Sequence, residues 1–143
     1  LAMHSGRDQE IQLLQQIQAE LFNLGSMLAC PEEQQSKYQL ATTSLAAVEL
    51  LETEIDRIDQ MLPPLKNFIL PGGVAAACDL HICRAVTRRV ERKLIGFTCQ
   101  LTDSSIYQNA EIFINRLSDY LFVLARSVNH QIGIEEIIWQ KAE

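Results

Sequence analysis

Five of the chain's 12 Lys and Arg residues fall within ten positions: Arg84, Arg88, Arg89, Arg92 and Lys93. On a helix, Arg84, Arg88 and Glu91 stand at i, i+4 and i+7 and share a face; Arg92 extends it by a turn, with Arg89 and Lys93 alongside. Guanidinium groups stay charged at any working pH and grip phosphate oxygens through paired hydrogen bonds of fixed geometry, so this run suits a polyphosphate. Glu91 can hold one arginine in place or accept a ligand hydroxyl. The alternative is a solvated stripe of helix-surface ion pairs, worth ~0.2–0.5 kcal/mol each.

Other polar groups add to this pattern. Asn115 and Asp119 are four residues apart in Asn115-Arg116-Leu117-Ser118-Asp119-Tyr120-Leu121-Phe122, with Phe122 three further on, so the three share a helix face that can oppose the arginines. Asp119 can equally pair with an arginine of the bundle. Leu70-Pro71-Gly72-Gly73 precedes a helix start, where backbone N–H groups can receive an anion, but it lacks the GxxxxGK[ST] pattern of a Walker loop. His81, one turn before Arg84, reads as structural. The four cysteines form no CxxC pair, no Cys/His spacing matches a zinc site and no ExxH pair suggests a di-iron bundle, so no protein metal site is expected. No Ser, Cys or His has the spacing of a nucleophile and its base; any reaction would use a nucleophile the protein does not supply.

The elements that must carry these residues read as all-α. Ile11, Leu14, Ile17, Leu21, Leu24 and Leu28 predict a helix over 9–29, ended by Cys30-Pro31. Residues 32–38 read as a polar loop. Leu45, Val48, Leu51, Ile55, Ile58 and Met61 mark a second helix, capped within 42–44 and stopped by Pro63-Pro64, followed by an extended connection. Leu80, Cys83, Val86, Val90 and Leu94 predict a third over 74–95, with Gly96 helping to end it. A fourth begins at a capping box of Ser105 and Gln108, uses Ile114, Leu117, Leu121 and Leu124, and is followed after Gly133 by a short helical piece over 134–140. Four long helices with short links describe an up-and-down bundle in one domain, residues 1–143. The net charge of −6 argues against general nucleic-acid binding, and no apolar run has the length of a membrane span.

Three segments in order, Phe68-Ile69-Leu70-Pro71-Gly72-Gly73, Arg88-Arg89-Val90-Glu91-Arg92 and Asn115-Arg116-Leu117-Ser118-Asp119-Tyr120-Leu121-Phe122, resemble the PduO-type ATP:cob(I)alamin adenosyltransferases. Leu21-Phe22-Asn23-Leu24-Gly25 and the closing segment with Trp139 fit the same pattern, so the resemblance covers nearly the whole chain. It implies a homotrimer of helical bundles with active sites between subunits. The implied reaction transfers the 5′-deoxyadenosyl group of ATP, with Mg²⁺, to the Co(I) of cobalamin and releases triphosphate.

By the same resemblance, Arg88, Arg89, Glu91, Arg92 and Asn115 contact ATP, with Arg88 catalytic. Phe68 displaces the lower axial ligand of cobalt in bound cobalamin. Arg84 and Asp119 belong to the subunit interface, Arg84 pairing with an acidic residue of the adjoining subunit. A reductase and an adenosylcobalamin-dependent enzyme are implied partners, in the cytoplasm or, given an upstream transit peptide, an organelle matrix. The family's phosphate-wrapping Thr-Gly-Asp-x-Gly-x-Thr segment and its first helix are expected upstream, with Leu1-Ala2 as that helix's last turn. Cys78-Asp79 departs from the small uncharged residues usual there, and Val90 within the RRxER run is a further small change. A non-catalytic module that holds or delivers ATP or corrinoid is the rival reading.

Overall fold

The computed structural model describes residues 2–141; side chains are described from Asp8 onward, except those of Glu32 and Ser36. Four long helices and one short one follow each other: α1 (Ala2–Ala29), α2 (Glu32–Tyr38), α3 (Leu45–Asp59), α4 (Ala75–Thr98) and α5 (Gln108–Gln131). The bundle is the expected all-α architecture. None of the described helices is long and apolar enough to cross a membrane.

Helix α5 is the axis of the fold. Ile114, Leu117, Leu121 and Leu124 are buried as their spacing requires, and Phe113, Tyr120, Val123 and Ala125 are buried as well. A helix apolar on more than one face belongs inside a bundle, and α5 packs on both α3 and α4. Val48, Leu51 and Ile58 of α3 and Leu13, Ile17, Leu24 and Met27 of α1 complete one core with it.

Two expected stripes are rotated. In α1, Ile17 and Leu24 are buried and Leu14 packs at the core edge, but Ile11, Leu21 and Leu28 are exposed; the inward row runs through Leu13, Ile17, Leu24 and Met27. In α4, Leu94 is buried and Leu80 packs on the core, whereas Cys83, Val86 and Val90 face outward. The α4 residues that are buried or half-buried toward the bundle, Ala77, Leu80, Arg84, Thr87, Glu91, Leu94 and Thr98, alternate at spacings of three and four. That is the rhythm of a packed helix seam, here filled largely by polar residues. In α3, the expected end residues Leu45 and Met61 are exposed.

The connections differ from expectation for local reasons. The polar stretch after Pro31 is a helix, begun by proline's fixed φ and closed by Gln39 at φ 45°. The side-chain amide of Gln35 ties it to the Met27 and Cys30 carbonyls and to the Tyr107 hydroxyl. Ser44 caps α3 as expected, its hydroxyl accepting from the Ala47 N–H. Gly96 does not end α4, which continues through Thr98, where the threonine hydroxyl donates to the Glu111 carboxylate of α5. No capping box forms at Ser105; a 3₁₀ turn over Ser105–Tyr107 leads into α5, and Asp103 Oδ1 accepts from the Ser105 N–H at 2.8 Å. That bond stabilises the Asp103 carboxylate and holds its pKa below the usual range. Leu1 lies outside the described residues, and Ala2 is part of α1.

The expected helical piece over 134–140 is absent. Gly133, at φ 74°, turns the chain back on itself. The Leu70 N–H then donates to the Ile137 carbonyl, and the Trp139 N–H to the Phe68 carbonyl, both at 2.8 Å, around one antiparallel bridge between Ile69 and Ile138.

Candidate functional site

Helices α4 and α5 run antiparallel, so Arg84 meets Phe122 at one level of the seam and Glu91 meets Asn115 two turns along. The Arg84 guanidinium lies 5.1 Å from the Phe122 ring centroid, a cation–π geometry. Its Nε is buried and has no hydrogen-bond partner among the described residues. His81 stands 6.4 Å from the same ring. Burial, and then the positive charge of Arg84, lower the imidazole pKa, so His81 is disposed to stay neutral.

At the second level the Asn115 amide donates to Glu91 Oε1 at 2.6 Å, and Arg116 Nη2 donates to Asn115 Oδ1, also at 2.6 Å. Arg116 Nη1 is 3.4 Å from Asp119 on its own helix. Glu91, Asn115, Arg116 and Asp119 are thus one connected polar chain. Asp119 takes the intrahelical alternative, with Arg116 as its arginine. Such a chain fixes the Asn115 rotamer, which in turn fixes where a ligand contact at this position would lie.

Arg88 and Arg92 flank this seam, exposed. Arg89 and Lys93 sit further round α4, among exposed Val86 and Val90. None of these four cations makes an ion pair among the described residues. Uncompensated arginines on an acidic chain attract an anion. No group of three His, Cys, Asp or Glu among the described residues gathers as a metal site.

At the far end of the seam lies a second cluster. Phe68, 79% exposed, projects from the α3–α4 connection and meets Trp139 edge-on, their centroids 6.3 Å apart. With Leu65, Lys66 and Asn67 they line a cleft of about 480 Å³. At the root of the same connection Arg126, 3% exposed, donates to Glu136 Oε1 at 2.5 Å and to the Pro63 carbonyl at 2.8 Å, and lies 3.7 Å from Asp59. One turn on, the Asn129 amide donates to the Gly72 carbonyl at 2.9 Å while its Oδ1 accepts from the Val74 N–H at 3.1 Å. Gly73, between those partners, has φ 110°, and a Cβ there would overlap the Asn129 amide. Sequence reasoning missed Arg126 and Asn129. The available signal was an arginine and an asparagine inside a row of otherwise core-forming α5 positions.

The fold and site define a helical bundle with a polar inner seam, an anion-attracting flank and an exposed aromatic at the seam's end. The chain belongs to the cobalamin adenosyltransferase family, whose sequence profile matches residues 1–128. It is 42% identical over 130 residues to the corrinoid adenosyltransferase MMAB of Mus musculus, covering 90% of this chain and 54% of that protein. It is 40% identical over 126 residues to a corrinoid adenosyltransferase of Bacillus subtilis, covering 88% and 62% respectively. The chain thus spans between about half and two thirds of these relatives. Among solved structures, a phenylalanine-to-alanine variant of the PduO-type ATP:corrinoid adenosyltransferase from Lactobacillus reuteri, complexed with cobalamin and ATP, superposes with a TM-score of 0.77. It shows 35% identity, covering 90% of this chain and 68% of that one. An arginine-to-lysine variant of the enzyme complexed with ATP also gives 0.77 and 35% identity, covering 89% and 69%.

Proposed function

We propose that residues 1–143 are the helical-bundle domain of an ATP:corrinoid adenosyltransferase, which transfers the 5′-deoxyadenosyl group of ATP to the Co(I) of a corrinoid. The observation that carries this reading is the row of exposed arginines without ion-pair partners, flanking a hydrogen-bonded Glu91–Asn115 pair in a family member. Co(I) donates an electron pair to C5′ as the C5′–O5′ bond breaks, and that bond's pair leaves on triphosphate. Cobalt is the nucleophile, so no catalytic base is needed. The demand on the protein is electrostatic: fixed cations aimed at the charge that grows on the departing phosphates.

In this reading Arg88, Arg89 and Arg92 contact the polyphosphate, with Arg88 the catalytic cation, while Glu91 and Asn115 orient the nucleotide. Phe68 offers its exposed ring to the lower face of the corrinoid. Magnesium, a hard cation that usually keeps several waters and takes substrate phosphates as ligands, would arrive on the nucleotide, since the described residues provide no cage of their own.

The outward side of α4 supports an assembly with sites between subunits, a homotrimer as in the family expectation. Ile82, Val86, Val90 and Phe97 are exposed there beside Arg89 and Lys93, an apolar surface that a neighbouring subunit would cover. Arg84, whose Nε is buried and unpartnered among the described residues in the α4–α5 seam, would receive a carboxylate from a neighbouring subunit that reaches that seam, as the family expectation has it. A reductase supplying Co(I) and an enzyme consuming adenosylcobalamin are the partners this chemistry requires, in the cytoplasm or an organelle matrix.

The test follows adenosylcobalamin by absorbance after reduced cobalamin and MgATP are mixed with the protein. Wild type should turn over. Arg88→Ala should lose about 100-fold or more, the scale of removing one transition-state charge stabiliser, with unchanged helix content. Full activity in that variant would exclude Arg88 from the site. A wild-type protein that binds ATP without turnover would be a delivery module instead.

A further inference from the structure

We infer that Arg126 is a positioning residue that clasps the C-terminal segment against the Phe68 connection and so holds the cleft between Phe68 and Trp139 closed on one side. The inference rests on the reading of that cleft as the corrinoid end of the site.

One guanidinium reaches three separate parts of the chain. Its fork takes Glu136 of the returning C-terminal segment, the Pro63 carbonyl at the root of the Phe68 connection, and Asp59 at the end of α3. The Phe122 ring, 6.0 Å away, covers one face. A buried charge of this kind holds Glu136 firmly, because its other carboxylate, Asp59, is 3.7 Å away and mostly exposed and compensates it less well. Past Glu136 the segment continues straight into the two backbone bonds with Leu70 and Phe68, and then into Trp139. Two backbone bonds around a single bridge are too few to hold an extended segment in water. The Glu136 contact, one to three residues upstream of those bonds, is the charged anchor that keeps them in register. Without it Trp139 leaves, and the cleft loses the wall that faces Phe68.

The chain contains a single tryptophan, so Trp139 emission reports this docking directly. The variants are Arg126→Lys, which keeps the charge but not the fork, and Glu136→Gln, which keeps the size but not the charge. In the full chain, both should shift Trp139 emission to the red and speed amide exchange at Leu70 and Trp139 by about tenfold or more, local opening that leaves α5 protected. Corrinoid KM should rise severalfold while ATP KM holds. Unchanged exchange at both amides in folded Glu136→Gln protein overturns the clasp. A released segment with unaltered corrinoid KM overturns its positioning role. Wild type inert toward corrinoid would instead sink the functional reading, and the exchange measurement would still decide the clasp.

Discussion

Helices α4 and α5 have the same length, 24 residues, and lie against one another, yet they are built on opposite plans. Helix α5 buries apolar side chains on nearly every side. Helix α4 turns Arg84, Thr87 and Glu91 inward and leaves Ile82, Val86 and Val90 outside. The first plan buys stability. The second gives some of it up, because each polar group in the seam needs a partner, and Arg84 Nε has none among the described residues. A helix that places charge inside and apolar surface outside gives up packing energy on both faces.

That contrast can be broken experimentally. The largest effect should come from α5: Phe113→Ala removes a ring that is 2% exposed and should cost about 3–5 kcal/mol of unfolding free energy, read by denaturant titration. A loss below 1 kcal/mol would mean that α5 is not the structural axis. Next comes the seam. Glu91→Gln removes the charge that holds Asn115 and should weaken ATP binding roughly tenfold by calorimetry, the scale of a hydrogen bond to a charged group, while the melting temperature moves little. Smaller still is the outward face of α4, where Val86→Ser should change the stability of the isolated chain by less than about 0.5 kcal/mol. The same variant should lower the association state seen by light scattering; unaltered assembly would leave the apolar face without its proposed neighbour.

The last effect concerns pH. Burial, then Arg84, depress the His81 pKa in the fold. The folded protein therefore binds fewer protons at this position than the unfolded chain does. The His81 contribution to stability is present above the ordinary imidazole value and is lost as pH falls through roughly 6.5 and below. His81→Asn should flatten the fall in melting temperature across that interval; an unchanged slope would place the pH dependence elsewhere.

The same two helices explain what the sequence disclosed. The apolar stripe of α5 was legible because Ile114, Leu117, Leu121 and Leu124 all point where hydrophobicity says they should. The α4 stripe was not: the apolar row through Cys83, Val86 and Val90 is real, but it faces out, and periodicity reports which residues share a face without saying which face is inside. The four long helices were likewise found, while some of the segments joining them were missed. Residues 134–140 looked helical because the backbone bonds that make them extended come from a loop over 60 residues earlier. Of the candidate site, the arginine run and Asn115 were legible as motif. Arg126 and Asn129 were not, since their work is to hold carbonyls and amides that no side-chain pattern advertises.

Gly73 and the Asn129 amide beside it carry a consequence for binding. The connection bearing Phe68 enters α4 through a backbone shape open only to a residue without a side chain, and an amide occupies the space a Cβ would need. Glycine permits that route, and the Asn129 amide, bonded to the Gly72 carbonyl and the Val74 N–H, holds it. A planar ligand arriving at Phe68 would meet an edge already stiff, and little conformational entropy would remain to be lost at the moment of contact.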